Sequence, residues 1–119
     1  MSYFFDTYAI IEIILSNPSY EKYKTFPVKL CILNIAEVYS IILRNKSKDE
    51  ADKWLGNYNL ELLEIAPKTM AEAVYFRFMR KNNISLTDAV GYILSLENNL
   101  KFLTGDKEFQ NMPNVEFVR

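Results

Sequence analysis

Histidine is missing from this sequence, and cysteine occurs once, as Cys31. The absence of histidine removes the commonest general base of enzymes and the usual nitrogen ligand of zinc. A single cysteine cannot form an internal disulfide, and its place in the apolar run 30–33 predicts a buried thiol in a reducing compartment. Any metal ion bound by this chain should therefore have oxygen ligands, which favours Mg²⁺ or Mn²⁺.

A strong charge of one sign and long apolar runs are also lacking. The 14 basic and 15 acidic residues give a net charge of −1, so no broad phosphate-binding surface is expected. No apolar run approaches the ~20 residues of a membrane span, and no basic region precedes the first apolar stretch as it would in a secretory signal. A chain of 119 residues, 50% of them hydrophobic, predicts one cytoplasmic domain over residues 1–119.

What the chain does contain is a regular alternation of short apolar strands and helical stripes. The predicted strands cover residues 3–5, 28–33, 60–65, 101–103 and 115–118. The predicted helical segments cover residues 8–15, 19–26, 49–58, 69–81 and 106–110, together with one helix capped by Asn34 and another capped by Ser85. This alternation is typical of the α/β class with a mainly parallel sheet.

The stretch 85–106 is the centre of this prediction. Ser85 and Asp88 have the spacing of an N-cap residue and an acid at the third helical position, and the strand that follows the helix ends before Asp106. In a parallel sheet, the helix before a strand begins at the edge where the strands end. Asp88 and Asp106 should therefore share the edge at which open α/β sheets bind their ligands.

Two further acids are predicted at the same edge, namely Asp6 directly after the first strand and Glu37 near the start of the helix after the second strand. Four carboxylates in a partly buried pocket would repel one another strongly, and a divalent cation would remove that repulsion. Such ions can hold a phosphodiester, activate water and stabilise the leaving oxygen without histidine. Thr7 and Thr104, each beside a strand-ending acid, could orient the ligands or bound water.

A simpler interpretation exists for most of these acids taken singly. Glu37 and Asp88 each follow a cap residue by three positions, where the helix dipole favours an acid. Glu72 shows the same local signature and has no assigned site role. Asp106, which follows a glycine, could be an ordinary turn residue. Asp6 fits a local interpretation less well, because a carboxylate directly after an aromatic core strand is costly without a partner.

The ordered set of acids resembles the PIN-domain family of nucleases. The resemblance rests on the motifs FDT at 5–7, NIAE at 34–37, LTDA at 86–89 and LTGDKEF at 103–109. It implies a three-layer α/β/α fold with a five-stranded sheet in the order 3-2-1-4-5, and a Mg²⁺- or Mn²⁺-dependent endoribonuclease. The residues that it implies as catalytic metal ligands are Asp6, Glu37, Asp88 and Asp106.

The small size of the chain is similar to that of the toxins of VapBC-type toxin–antitoxin pairs. This resemblance implies an RNA substrate, a cognate antitoxin protein and a homodimer. Family members often carry a further Asp shortly after the fourth acid, where this chain has Lys107 and Glu108. The resemblance therefore leaves open whether the site binds one metal ion or two. Two other functions are open as well: a non-catalytic PIN-like module that binds RNA or protein, and an RNA-processing nuclease without an antitoxin.

Two groups of residues outside the acid set have alternative interpretations. A basic cluster before the loop to Asp88 could bind RNA phosphates, although a solvated helix face explains such a cluster more often. Its members are Arg77, Arg80 and Lys81. Aromatic residues at helical spacing could line an antitoxin groove or a dimer interface, although core packing explains most residues of this kind. They are Tyr20, Tyr23, Phe26, Trp54 and Tyr58.

Overall fold

The computed structural model describes residues 2–57 and 59–119. The strands are β1 (Tyr3–Phe5), β2 (Val28–Leu30), β3 (Leu60–Leu62), β4 (Lys101–Thr104) and β5 (Val115–Phe117). The α-helices are α1 (Thr7–Ile14), α2 (Ile32–Asn45), α3 (Lys48–Asn57), α4 (Pro67–Met79) and α5 (Leu86–Glu97). Short 3₁₀ helices cover Pro18–Thr25 and Lys107–Phe109. Within the described ranges, none of the helices is both long and apolar enough to cross a membrane.

The strands form one parallel sheet in the order β3-β2-β1-β4-β5, as the resemblance predicted. The first strand of the chain is therefore the central one, and Phe4 pairs with Lys29 on one side and with Phe102 on the other. The strand order reverses between β1 and β4. Open α/β sheets bind ligands at such a reversal, beyond the ends of the strands.

Two hydrophobic cores cover the two faces of the sheet. Side chains alternate along β1, so Tyr3 and Phe5 point to one face and Phe4 to the other. The first face packs against α1, α2, α3 and the first 3₁₀ helix. The second face packs against α4 and α5. The result is the predicted three-layer α/β/α arrangement, with the ends of β1 and β4 open between the layers.

Gly91 allows α5 to lie close to the centre of the sheet. A Cβ atom at this position would lie 2.8 Å from Cε1 of Phe4 and 3.1 Å from Cε1 of Phe102. A larger residue would therefore push α5 away from β1 and β4. The close approach keeps the first turn of α5, with Asp88, beside Asp6 at the end of β1.

The start of α2 differs from the sequence prediction. The helix begins at Ile32, and its N-cap residue is Cys31 rather than Asn34. Asn34 lies at the third helical position, where its Oδ1 accepts the Cys31 N–H at 3.0 Å. The predicted strand 28–33 was too long, because an apolar run does not distinguish a strand from a buried helix start. Glu37 therefore lies in the second turn of α2, and its interpretation as a capping acid is wrong.

The helix α4 begins at Pro67, two residues earlier than predicted, because proline suits the first helical position. Thr69 consequently lies inside the helix, where it is buried and donates its hydroxyl to Oε1 of Glu97 at 2.8 Å. Glu72 falls in the second turn, so its predicted capping signature is wrong. The preceding strand ends at Leu62, three residues before the predicted end.

Most of the aromatic residues that were candidates for a partner surface belong to the core. Tyr20 and Tyr23 in the first 3₁₀ helix and Trp54 in α3 are buried. Phe26 is partly buried and packs against the same cluster. Burial supports the core-packing interpretation for Tyr20, Tyr23 and Trp54, and a role of Phe26 in an antitoxin groove or dimer interface stays a prediction. Tyr58 lies outside the described residues.

Candidate active site

A cavity of about 520 Å³ opens at the edge of the sheet where β1 and β4 end. Its walls come from the start of α1, one face of α2, the start of α5 and the turn after β4. All four acids that the sequence indicated line this cavity. They are Asp6, Glu37, Asp88 and Asp106, and the other wall residues include Thr7, Ser40, Arg44 and Ser85.

Asp6 is the most buried of the four acids, with 2% of its surface exposed. Its N–H donates to the Leu103 carbonyl at 3.1 Å, which extends the pairing of β1 with β4 by one residue. Its Oδ2 accepts the Thr104 hydroxyl at 2.7 Å. Its Oδ1 is buried and, within the described part of the chain, has no hydrogen-bond partner. A buried carboxylate oxygen of this kind is unfavourable unless a proton or a cation compensates it.

Asp88 contacts one residue in its own helix start and one residue that is distant in the sequence. The Ser85 Oγ accepts the Asp88 N–H at 3.0 Å, so the predicted cap of α5 is confirmed. The Asp88 carboxylate also lies next to that of Asp6. Burial, followed by the charge of Asp88, raises the pKa of Asp6 well above its ordinary value. Burial is likewise the main cause that raises the pKa of Asp88, and the charges of Asp106 and Glu37 add to it.

The Asp6–Asp88 pair is the part of the cavity that best suits a cation. Two adjacent carboxylates need a shared proton or a positive ion, and oxygen-only ligands suit Mg²⁺ and Mn²⁺. Across residues 2–57 and 59–119, no three acidic or cysteine side chains already converge closely enough to hold one ion. Glu37 and Asp106 line the cavity but form hydrogen bonds with neighbouring groups. The donor chemistry therefore fits a divalent cation, with Asp6 and Asp88 as the close pair.

Thr104 connects Asp6 to Asp106. Its hydroxyl accepts the Asp106 N–H at 3.0 Å and donates to Oδ2 of Asp6 at 2.7 Å. Oδ1 of Asp106 in turn accepts the Glu108 N–H at 3.0 Å, which caps the 3₁₀ helix Lys107–Phe109. The interpretation of Asp106 as a turn residue is therefore correct. The same turn also brings Asp106 to the cavity wall.

Thr7 forms the corresponding contact with Glu37. Its hydroxyl donates to Oε1 of Glu37 at 2.7 Å and accepts a hydrogen bond from Nδ2 of Asn34 at 3.1 Å. Both threonines that the sequence indicated thus contact an acid of the cavity. The bond from Asn34 was not foreseen, because the sequence prediction placed Asn34 at the helix cap.

Arg44 is a cavity residue that the sequence prediction missed. Together with Glu37, Ser40 and Ile41, it forms one face of α2, at the three- and four-residue spacings of a single helix face. The sequence predicted no role for Arg44, and its place on the cavity wall depends on α2 continuing to Asn45. Its Nη1 lies 3.5 Å from Oγ of Ser40. The acidic cavity thus has a guanidinium on its α2 wall.

The predicted basic cluster lies elsewhere, outside the described wall of this cavity. Nε of Arg77 donates to the Ile84 carbonyl at 2.7 Å. Arg80 lies over the Phe76 ring, 5.7 Å from its centroid. Lys81 is exposed in the turn after α4. The two arginines therefore have contacts within the chain, and RNA binding by this cluster stays a prediction.

The strand order reverses beside β1, and carboxylates line the opening at this edge. These features define an open α/β protein of the class whose members bind ligands at the carboxyl edge of a parallel sheet. The particular family follows from a sequence comparison. A family model described as PIN domain matches residues 3–115. The chain therefore belongs to the PIN-domain family. A search of the curated proteins found no match.

Three solved structures are similar to this chain over almost its full length. A toxin–antitoxin complex from Klebsiella pneumoniae has 18% identity and a TM-score of 0.76, covering 98% of this chain and 96% of that one. Mycobacterium tuberculosis VapC20, described as a sarcin–ricin loop cleaving toxin, has 13% identity and a TM-score of 0.79, covering 99% and 100%. VapBC2 from Rickettsia felis, bound to a DNA fragment from its promoter, has 19% identity and a TM-score of 0.72, covering 100% of both chains. At these identities the similarity is one of fold.

Proposed function

We propose that this protein is a metal-dependent endoribonuclease that hydrolyses RNA phosphodiester bonds, and that it is the toxin of a toxin–antitoxin pair. The observation that carries the proposal is the buried Asp6–Asp88 pair in a cavity lined by two further acids. Membership of the PIN-domain family supports nuclease chemistry. The similar structures support the toxin assignment, since they include a toxin–antitoxin complex and a loop-cleaving toxin.

The residues that we assign as ligands of Mg²⁺ or Mn²⁺ are Asp6, Glu37, Asp88 and Asp106. Such an ion supplies an activated water and stabilises the charge of the leaving oxygen. Thr104 and Thr7 assist by donating their hydroxyls to Asp6 and Glu37. These bonds keep each carboxylate in one orientation, and this reduces the reorganisation needed when the ion and RNA bind.

Arg44 supplies a positive charge for a phosphate next to the one that is cleaved. It lies seven residues after Glu37 on the same face of α2, which is about 10 Å along the helix axis. An acidic cavity repels the RNA backbone, and a guanidinium on its wall offsets part of that repulsion through charge-assisted hydrogen bonds.

The proposed partners are an RNA substrate, a cognate antitoxin and a second copy of the chain. We propose that the protein acts in the cytoplasm and that residues 1–119 form a single domain. Protein partners are supported by the outer face of α4, which exposes a group of large apolar side chains. Contiguous exposed apolar surface marks protein interaction sites. The residues are Val74, Tyr75, Phe78 and Met79, each more than half exposed.

The test combines co-purification with RNA cleavage. The chain is co-expressed with the product of the adjacent gene, separated from it, and incubated with RNA in Mg²⁺, Mn²⁺ or EDTA. We expect cleavage with either ion, none in EDTA and none by Asp6→Asn. Asp49→Asn is the matched control, because Asp49 is 82% exposed on α3, and it should cleave like the wild type. Full cleavage in EDTA would exclude the metal mechanism.

Two other outcomes would identify the alternative functions. RNA binding without cleavage, unchanged by Asp6→Asn, would indicate a non-catalytic RNA-binding module. Metal-dependent cleavage by a chain that binds no product of a neighbouring gene would indicate an RNA-processing nuclease without an antitoxin. Mass measurement of the purified chain, alone and in the complex, gives the oligomeric state in each case.

A further inference from the structure

Asn34 is a fully buried polar residue behind the cavity, with no exposed surface. It lies on α2, one helical turn before Glu37. Its side chain bonds to the start of its own helix and to Thr7 at the start of α1. A buried amide is costly unless it is paired, and here both ends of the amide have partners.

The orientation of this amide is fixed by its surroundings. Oδ1 accepts the backbone N–H of Cys31 at 3.0 Å and the Cys31 thiol at 3.2 Å. Because a backbone N–H can only donate, the carbonyl end of Asn34 must face Cys31. The amide nitrogen therefore faces Thr7, and Nδ2 donates to its Oγ1 at 3.1 Å.

This bond also fixes the direction of the Thr7 hydroxyl. A hydroxyl has a single proton, and a carboxylate can only accept. Since Thr7 Oγ1 already accepts from Asn34, its proton is directed to Oε1 of Glu37 at 2.7 Å. The series of bonds from the Cys31 N–H through Asn34 and Thr7 to Glu37 thus has only one consistent direction.

We propose that Asn34 is a positioning residue for the cation site: through Thr7, it holds the Glu37 carboxylate in the orientation that binds the ion. The inference rests on the proposed function, because Glu37 is one of the ligands assigned there. With its oxygen, Asn34 accepts the Cys31 N–H at the start of α2, and with its nitrogen it orients Thr7. Helix stability and metal binding therefore depend on different atoms of the same side chain.

A double-mutant cycle on Mn²⁺ affinity tests this inference. Mn²⁺ binding is measured by calorimetry on the RNA-free wild type, Asn34→Ala, Thr7→Val and the double variant. Each single change should weaken binding by about tenfold, since residues that orient metal ligands are typically worth roughly 10–100-fold in affinity. In the Thr7→Val background, Asn34→Ala should change the Mn²⁺ affinity by less than about twofold, because the hydrogen bonds that connect Asn34 to Glu37 are already lost.

Thr7→Ser and Asn114→Ala are the controls. Thr7→Ser keeps a hydroxyl and should restore most of the wild-type Mn²⁺ affinity. Asn114 donates through Nδ2 to the Leu100 carbonyl at 2.8 Å, away from the cavity. Asn114→Ala should therefore lower the melting temperature without changing Mn²⁺ affinity.

An NMR titration covers the case in which Asn34→Ala does not fold. Mg²⁺ should shift the side-chain amide resonances of Asn34 in the wild type and leave them unshifted in Thr7→Val. Unshifted Asn34 resonances in wild type saturated with Mg²⁺ would overturn the inference.

The cycle separates failure of this inference from failure of the proposed function. Equal weakening of Mn²⁺ binding by Asn34→Ala in both backgrounds would overturn the positioning role, because Asn34 would then act through general packing. A wild-type protein that binds no Mn²⁺ would overturn both the inference and the metal mechanism. Mn²⁺ binding with the predicted cycle, but without RNA cleavage, would overturn only the nuclease assignment.

Discussion

Asp88 belongs to two arrangements at once: the first turn of α5 and the acid pair with Asp6. The sequence presented these as competing interpretations. In the structure the Ser85 cap is present and the carboxylate also lies beside Asp6. The useful comparison is therefore with an acid that has only the local arrangement. Glu50 on α3 makes its contacts locally: Ser47 Oγ accepts its N–H at 3.1 Å, and its side chain, which is 56% exposed, lies 3.9 Å from Lys53 Nζ on the same helix.

Asp88→Asn should leave the metal-free protein at least as stable as the wild type. The change removes a helix-dipole contribution of about 0.3–1 kcal/mol, and it also relieves the repulsion that raises the pKa of Asp6. Mg²⁺ should stabilise the wild type by binding the folded state, and it should stabilise the variant much less. Thermal unfolding in EDTA and in saturating Mg²⁺ measures both effects.

Glu50→Gln is the matched control for this prediction. It should lose a similar dipole contribution of about 0.3–1 kcal/mol, and Mg²⁺ should not alter that loss. Equal melting shifts for Asp88→Asn and Glu50→Gln in both solutions would mean that Asp88 acts only at the helix start. Glu72, which the sequence offered as the comparison, is unsuitable because it lies in the second turn of α4.

At the scale of elements, the contact of α5 with the sheet sets the position of Asp88. Gly91→Ala places a methyl group 2.8 Å from Cε1 of Phe4, and such overpacking typically costs about 1–3 kcal/mol. Alanine favours the helix over glycine by about 1 kcal/mol, so the net loss of unfolding free energy should be up to about 2 kcal/mol. Urea unfolding measures it.

Gly56→Ala in α3 is the matched control for Gly91→Ala. A Cβ atom at Gly56 has nothing within 4 Å, so only the propensity gain of about 1 kcal/mol applies. This variant should therefore be more stable than the wild type. A Gly91→Ala protein that gains stability like Gly56→Ala would show that α5 moves without cost, and the close approach would then not position Asp88.

The sequence predicted the elements whose signals are local and strong. The stripe after Ser85 and the aromatic strand before Asp6 each had a clear boundary residue, and both appear as predicted. The start of α2 was not predictable in this way, because the apolar run 30–33 suits a strand as well as a helix. The error moved Asn34 from the cap to the third position, which hid its bond to Thr7.

The candidate site was predictable where it depends on strand ends and unpredictable where it depends on helix length. Asp6 and Asp106 follow β1 and β4, and parallel strands end at one edge, so their convergence followed from the topology. Arg44 reaches the cavity only because α2 continues to Asn45. Helix ends of this kind have weak sequence signals, and boundaries are uncertain by two or more residues.

For the whole molecule, the near-zero net charge limits what can attract RNA. A net charge of −1 gives little long-range attraction to a polyanion, so individual cations should matter. Arg44→Gln should raise KM for RNA and leave kcat nearly unchanged. The slope of log(kcat/KM) against log[KCl] should become shallower by about 0.7, as expected for one lost contact to single-stranded RNA.

Lys81→Gln is the control for Arg44→Gln, since Lys81 is exposed and lies outside the cavity wall. It should leave both KM and the salt slope unchanged. The opposite result, with Lys81→Gln raising KM and Arg44→Gln having no effect, would assign RNA binding to the basic cluster at the end of α4.

The central position of β1 has a consequence for how the protein is made. Asp6 is translated before its partner strand β4, and the Thr104 hydroxyl that it accepts lies 98 residues later along the chain. A nascent or prematurely terminated chain that stops before Lys101 therefore lacks β4 and Asp106, and β1 has no neighbour on that side. The four carboxylates can meet only after Asp106 has been translated, and the site cannot form before β4 does.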